Sequence, residues 1–247
     1  MRTTKLYSIG MAAVMIFTFS QQTFAQLVDF YTSPGYTKMI DNLMTNYIWN
    51  ASMERYTKNY TNKNTGGSGV SQSKSSSPSK PYEVPAYRRY PAVQFKPTGT
   101  RLMLQELADT FGKTPQDKAD WKELISETLN KYEAAARAKG YPNDLALAYV
   151  SYVGLNKLVY HGVTEEPIIP FEQNIGLRDV VAELATDHGI FSKYTDREKQ
   201  ILYELFVVYG AVTYHLYEKA LKEKKTEGIK NAKLLAAQNL ESARIKP

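Results

Sequence analysis

Cysteine is absent from this chain, and histidine occurs only three times in 247 residues. Without cysteine there is no disulfide, no thiol nucleophile and no thiolate metal site, so stability has to come from an apolar core. The 43% hydrophobic content permits one. No two histidines are spaced i, i+4 and no HExxH occurs, which removes the local signature of a zinc hydrolase. A GxSxG elbow and a Walker A loop are also missing. Gly66-Gly67-Ser68-Gly69 lacks the Lys-Ser/Thr that a phosphate-binding loop needs. Acidic residues are scarce in one place only. From Lys58 to Arg101 eight basic residues face Glu83 alone, whereas from Leu102 onward 19 Lys and Arg stand against 21 Asp and Glu. The net charge of +6 therefore belongs to a linker and not to a folded surface, which argues against a nucleic-acid partner. Strand-like alternation never persists for more than a few residues, and no 34-residue helical-pair repeat recurs.

What is present starts with a secretory pattern. Arg2 and Lys5 precede an apolar run from Tyr7 to Phe19, and Thr23-Phe24-Ala25 offers small residues at a cleavage site before Gln26. Residues 1–25 are expected to be a signal peptide, because the run falls short of the ~20 apolar residues that span a bilayer. No cysteine follows to carry a lipid, so the expectation is an exported, soluble protein, periplasmic or extracellular, and not a lipoprotein. Within residues 26–60, Ile40, Leu43, Met44, Tyr47 and Ala51 recur at helical spacing and predict one amphipathic helix over about 36–60. Residues 61–97 read as a linker. Thr61 to Lys80 is Gly/Ser-rich and predicted flexible, and Pro81, Pro85, Pro91 and Pro97 then favour extended backbone. A flexible tract of this length has an r.m.s. reach of about 30–35 Å, so the first helix can dock at either end of the main domain or on a partner.

The main domain, residues 98–247, is expected to be all-α, a helical bundle of about five main helices. Leu102, Leu104, Leu107, Ala108 and Phe111 line a first short helix ending at Gly112. Thr114-Pro115 supplies an N-cap and an N1 proline for the next, which carries Trp121, Leu124, Ile125, Leu129 and Tyr132 and stops at Gly140. Asn143 is the expected cap of the helix "LALAYVSYVGLNKLVYH", with Asp144 in its first turn. Leu145, Tyr149, Tyr152, Asn156 and Tyr160 form one stripe along it, broadened by neighbouring valines and leucines. Ser151, Asn156 and Lys157 interrupt its apolar run. A lysine near a bilayer centre costs about 2.5–3.5 kcal/mol on insertion scales, so this is core and not a membrane span. A loop is expected over 163–174, then a helix through "IGLRDVVAELATDHG". Thr195 and Glu198 form a capping box for a long helix with an equally wide apolar arc, on which Glu204 and Glu218 are expected to keep a polar edge, and a last helix runs from about Glu227 to Ile245. The two broadly apolar helices are expected to pack on each other at the centre.

Residues that bear chemistry have plain structural roles available. His161 and His188 each precede a glycine at a helix end, where an imidazole can cap carbonyls. His215 reads as a buried, hydrogen-bonded core histidine. Glu165-Glu166 lie in a loop, and Asp187 sits beside His188 at a helix end. Asn143-Asp144 is the best single lead for a ligand, although capping explains it. Asn156 is expected to be a buried polar group that fixes helix register. In "YRRYPAVQF", Tyr87, Tyr90 and Phe95 are expected to pin the extended segment while Arg88 and Arg89 stay solvated. No catalytic, cofactor-binding or metal residue is assigned, and no cofactor is expected.

Taken together, "GYPNDLALAYVSYVGLNKLVYHG" and "TDREKQILYELFVVYGAVTYHLYEKA" resemble an uncharacterised family of exported bacterial helical domains, over roughly Phe95 to Ile245. The Asn-Asp helix start and "EKQILYE" carry most of that resemblance. It implies the helical fold and export, and no activity or site residue comes with it. The functional expectation is a non-enzymatic binding or protein-interaction module of the cell envelope with a protein partner. The rivals are a hydrolase using scattered carboxylates or His215 in a bundle cleft, and a carrier of a small apolar ligand in a Tyr-lined interior.

Overall fold

A computed structural model describes residues 90–163, 171–243 and 245–247. The expected signal peptide, the helix over 36–60, the linker up to residue 89 and Glu165-Glu166 lie outside the described residues. Among the described residues, six helices follow a single 3-10 turn, Pro91–Val93: α1 Leu104–Phe111, α2 Pro115–Ala138, α3 Leu145–His161, α4 Phe171–Asp187, α5 Asp196–Lys222 and α6 Thr226–Ser242. The all-α expectation is met, with five long helices and the short α1. The fourth helix begins at Phe171, earlier than the periodicity suggested, because Asn174 and Gly176 do not break the turn once Leu177 and Val181 are buried.

Local chemistry sets most of the ends. Thr114 and Asp117 exchange hydrogen bonds at the start of α2, the Asp117 N–H donating to Thr114 Oγ1 at 3.1 Å. Thr195 and Glu198 do the same for α5. The C-terminus of α3 is closed by Gly162 at φ 71°, a left-handed conformation that glycine adopts without a Cβ penalty. At the start of α3 the cap is Asp144 and not Asn143. Asp144 accepts from the Leu147 N–H at 2.9 Å, while Asn143 takes φ 52° one residue earlier. The chain has to turn out of Pro142 there, and asparagine tolerates the left-handed region.

The largest helix–helix interface joins α3 and α5, as expected for the two widest apolar arcs, and α6 packs against both. Tyr149, Tyr152, Phe206 and Tyr209 are essentially inaccessible to solvent in this centre, and Tyr152 and Phe206 stack with centroids 5.2 Å apart. Of the predicted stripe, Leu145, Tyr149, Tyr152 and Asn156 are buried, but Tyr160, one residue before the end of α3, is 38% exposed. Four polar side chains sit where the helices meet. Asn239 on α6 donates to Asn156 Oδ1 at 2.7 Å and to Thr213 Oγ1 at 2.9 Å, and the Tyr152 hydroxyl donates to the Asn239 carbonyl at 2.6 Å. Asn156 thus has the buried, register-fixing environment that the sequence suggests.

The segment before α1 lies along the bundle. Val93 is completely buried, and Phe95 stacks edge-on against Tyr203 at 5.2 Å. The Phe95 N–H donates to the Asn143 carbonyl, and Gln94 pairs with Asp144 in an isolated antiparallel bridge. Further on, α1 has no side-chain cap of its own. The buried carboxylate of Glu204 on α5 replaces it, accepting from the Leu102 N–H at 3.2 Å and the Met103 N–H at 2.8 Å. Gln200 supports that carboxylate with a 2.7 Å hydrogen bond. Glu204→Gln keeps the shape but replaces two charge-assisted acceptors with one neutral oxygen. It is expected to cost about 1–2 kcal/mol, read as a lower denaturant midpoint with faster hydrogen exchange at the Leu102 and Met103 amides.

Candidate functional site

α2 leans on α1 and α5, and along its inner edge it leaves a groove of about 500 Å³ against α3 and α5. The floor is apolar and rigid: Tyr152, Phe206, Val207 and Val212 line it and are all buried. Two small side chains, Ser151 on α3 and Ala211 on α5, belong to its lining and leave room there. The walls are Trp121, Leu124 and Tyr132 from α2, facing Leu155, Tyr214 and Leu216. Phe111 holds the Trp121 ring from behind at 4.7 Å, so the wall is set by the core and not by solvent-exposed rotamers. The lining runs from Trp121 to Tyr132 on α2 and from Phe206 to Glu218 on α5. At 1.5 Å per residue both edges are about 16–18 Å long, three helical turns.

Polar groups are confined to the rim and one wall. Lys131 pairs with Glu127 at 2.7 Å and Lys222 with Glu218 at 2.8 Å, both exposed i, i+4 pairs that solvent screens heavily. The Tyr132 hydroxyl lies 3.5 Å from Ser151 Oγ, and burial pushes the phenol above its ordinary pKa. Neither hydroxyl is hydrogen-bonded to a histidine among the described residues. His215 stands at the mouth of the groove, exposed, and not inside the core as its place in the α5 apolar arc suggested. The arc of α5 is wider than the surface that α3 and α6 cover, and His215 falls on the uncovered part. Partial desolvation by the groove walls holds its imidazole below the ordinary histidine range; Lys219 and Lys222 act in the same direction, and Glu218 opposes them. In an NMR titration the His215 midpoint is expected below 6.5, and lower still in Ala211→Trp, whose indole excludes more water from the groove.

The remaining candidate residues lie away from the groove. His161 is exposed at the end of α3, edge-on to the Tyr160 ring at 5.2 Å, and His188 follows α4. The Asn143-Asp144 lead is taken up internally. Arg178 of α4, fully buried, donates from Nε to Asp144 Oδ2 at 3.0 Å and pairs through a second nitrogen with the same oxygen. The Tyr90 and Tyr141 rings flank its guanidinium at 5.7 and 5.1 Å. Tyr90 and Phe95 therefore pin the extended segment as expected, with Arg178 as one anchor; Tyr87, Arg88 and Arg89 lie outside the described residues. Sequence reasoning missed Arg178 and the groove itself, and it placed Glu204 on a polar edge of α5, whereas that carboxylate is completely buried because it caps α1. A trace of the first was available, since Arg178 falls three and four residues before Val181 and Ala182 on the buried face of α4. Among the described residues there is no group of three His, Cys, Asp or Glu that could hold a metal ion, and no helix is long and apolar enough to cross a membrane.

The model of a family described as "Family of unknown function (DUF6683)" matches residues 4–247. The match reaches well before Phe95, so the N-terminal segment and the bundle fall within one family unit. No curated protein and no solved structure matches the chain.

Proposed function

The chain belongs to this family of unknown function, and from its geometry we propose that it is a non-enzymatic binding module that takes an amphipathic helix of a protein partner into the α2–α3–α5 groove. One observation carries the reading: an apolar groove over a floor of buried side chains, its lining spanning three helical turns of α2 and of α5, with Glu127, Lys131, His215 and Glu218 as its charged or titratable groups. A helix in such a groove presents anchors at i, i+3, i+4 and i+7, each worth about 1.5–3 kcal/mol when buried. After the cost of association, three or four anchors give affinities on the order of micromolar. The rim pairs Glu127–Lys131 and Glu218–Lys222 then select orientation more than they add affinity. The secretory pattern of residues 1–25 supports a location in the cell envelope or outside it, and the absence of cysteine suits a chain that passes through an oxidising compartment as a single redox form.

The test is a photo-crosslinking residue at Leu155 in the chain as it occurs in its own envelope, followed by sequencing of the attached peptide. Attachment to a foreign peptide with a three-turn apolar stripe, lost at least about tenfold in Ala211→Trp, supports the reading. A retained small apolar molecule with no peptide sinks it in favour of a carrier. The hydrolase reading gains from one observation, the desolvated His215 at the groove mouth. His215→Ala is expected to leave partner capture intact, and loss of a turnover activity in that variant would move the site to catalysis.

A further inference from the structure

We infer that the helix taken by the groove carries an uncharged amide side chain, glutamine or asparagine, at one end of its apolar stripe, where the Tyr132 and Ser151 hydroxyls receive it. The inference rests on the reading of the groove as a helix site and names the chemistry by which that site selects its partner.

The groove is not uniform along its length. Tyr132 is the last residue of α2 to line it, and Ser151 is the first of α3. The Tyr132 ring meets Tyr203, three residues before the lining stretch of α5 begins at Phe206. Phe111 touches both Trp121 and Tyr209, so α2 runs antiparallel to α5 and Trp121 lies toward Leu216. The two hydroxyls therefore mark one end of the groove, and the other end is apolar.

At the hydroxyl end the hydrogen bonding is incomplete. The two oxygens lie 3.5 Å apart, beyond the roughly 2.5–3.0 Å of an ordinary O–H···O bond. Neither oxygen has a closer hydrogen-bond partner among the described residues. Ser151 is only 8% exposed, and burial is the main cause that raises the Tyr132 phenol. Each hydroxyl is both a donor and an acceptor. An anchor that covers the pair has to displace the water that would otherwise serve it. Leucine cannot replace those hydrogen bonds, whereas a carboxamide donates to one oxygen and accepts from the other. Charged anchors fit less well. A carboxylate loses its hydration and meets the negative field of Asp144, which acts on the Tyr132 phenol in the same direction as burial. An ammonium is desolvated too, and no carboxylate is hydrogen-bonded to either hydroxyl to compensate it. Trp121, Leu124 and Leu216 offer an amide nothing comparable at the other end.

The test uses the chain from Gln26 and a set of synthetic amphipathic helices with leucine at i, i+4, i+7 and i+11. Each leucine is replaced in turn by glutamine, then by glutamate and by lysine, and Kd is read by fluorescence anisotropy. Glutamine at one end of the stripe is expected to bind at least as tightly as the all-leucine helix. At the other positions it is expected to bind at least about tenfold more weakly. Glutamate and lysine at the favoured end are expected to lose about tenfold relative to glutamine. In Tyr132→Phe combined with Ser151→Ala, which removes two oxygens and keeps the ring, leucine is expected to exceed glutamine at that end by about tenfold. A groove that is merely loosened weakens both peptides alike and leaves their ratio unchanged. Equal losses at all four positions overturn the inference, as does a glutamine preference that survives in the double variant or a tighter charged anchor. The peptide captured at Leu155 gives a second reading. A stripe ending in glutamine or asparagine supports the inference, and one with apolar or charged residues at both ends overturns it. The two proposals fail separately. If helices bind or are captured without the amide preference, only this inference falls; if no helix binds and no peptide reaches Leu155, the groove reading falls with it.

Discussion

Arg178→Met is expected to lower stability by about 3–5 kcal/mol, a fall in Tm of roughly 6–20 °C. The side chain is fully buried, and its guanidinium neutralises Asp144, which is itself only 1% exposed. Methionine fills most of the volume but leaves a carboxylate in the interior with a single backbone donor, the Leu147 N–H. Desolvation already pushes the Asp144 carboxyl upward, and the hydrogen bonds and charge of Arg178 oppose that push. Without Arg178 the folded-state pKa of Asp144 rises well above the unfolded value of about 3.9. Between those two values the folded state then binds more protons than the unfolded state, so stability falls as pH rises through that window. The deficit of Arg178→Met is accordingly expected to shrink as the pH is lowered from 8 to 5. Combining Arg178→Met with Asp144→Asn should recover much of the loss at pH 8, because asparagine is neutral and still caps α3. Urea denaturation of the two single variants and the double variant at both pH values checks this. A deficit that is the same at pH 5 and pH 8 would show that Asp144 is not the residue left stranded.

Asn239→Leu is the second large effect, expected at about 2–5 kcal/mol. Its side-chain nitrogen serves both Asn156 Oδ1 and Thr213 Oγ1, and all three residues are completely buried. Leucine removes the donor and leaves two buried acceptors without it, each costing about 1–3 kcal/mol. The Tyr152 hydroxyl still reaches the backbone carbonyl at position 239, so α6 stays attached at that point. Asn156→Leu together with Asn239→Leu is expected to be more stable than Asn239→Leu alone, since matched apolar groups leave fewer stranded acceptors. The double variant loses the feature that sets one helix register, so its α6 amides should exchange faster than its global stability implies. Hydrogen exchange compared with the denaturant midpoint separates the two effects.

Neither large effect was legible from sequence, and the reason is the same in both. Asp144 and Arg178 are 34 residues apart, Asn156 and Asn239 are 83 apart, and Glu204 caps amides about 100 residues before it. A polar residue on an apolar helix face can be read as buried, as Asn156 was, but its partner depends on how helices from distant stretches are laid together. His215 shows the converse error. Its neighbours along α5 are apolar, so the local pattern places it in the core, and only the limited breadth of α3 and α6 leaves it at the groove mouth.

By itself the sequence determined what depends on near neighbours. Helical spacing and the Thr114 and Thr195 caps reproduce the α-helices to within a few residues, and the wide arcs of α3 and α5 identify the central pair. The absence of cysteine excluded disulfides and thiolate chemistry outright. Tertiary structure alone decided the Arg178–Asp144 clamp, the borrowed cap of α1 and the position of the groove. The physical reason is that a helix face states how much apolar surface must be covered, whereas the angle at which α2 leaves α3 and α5 decides which part stays open.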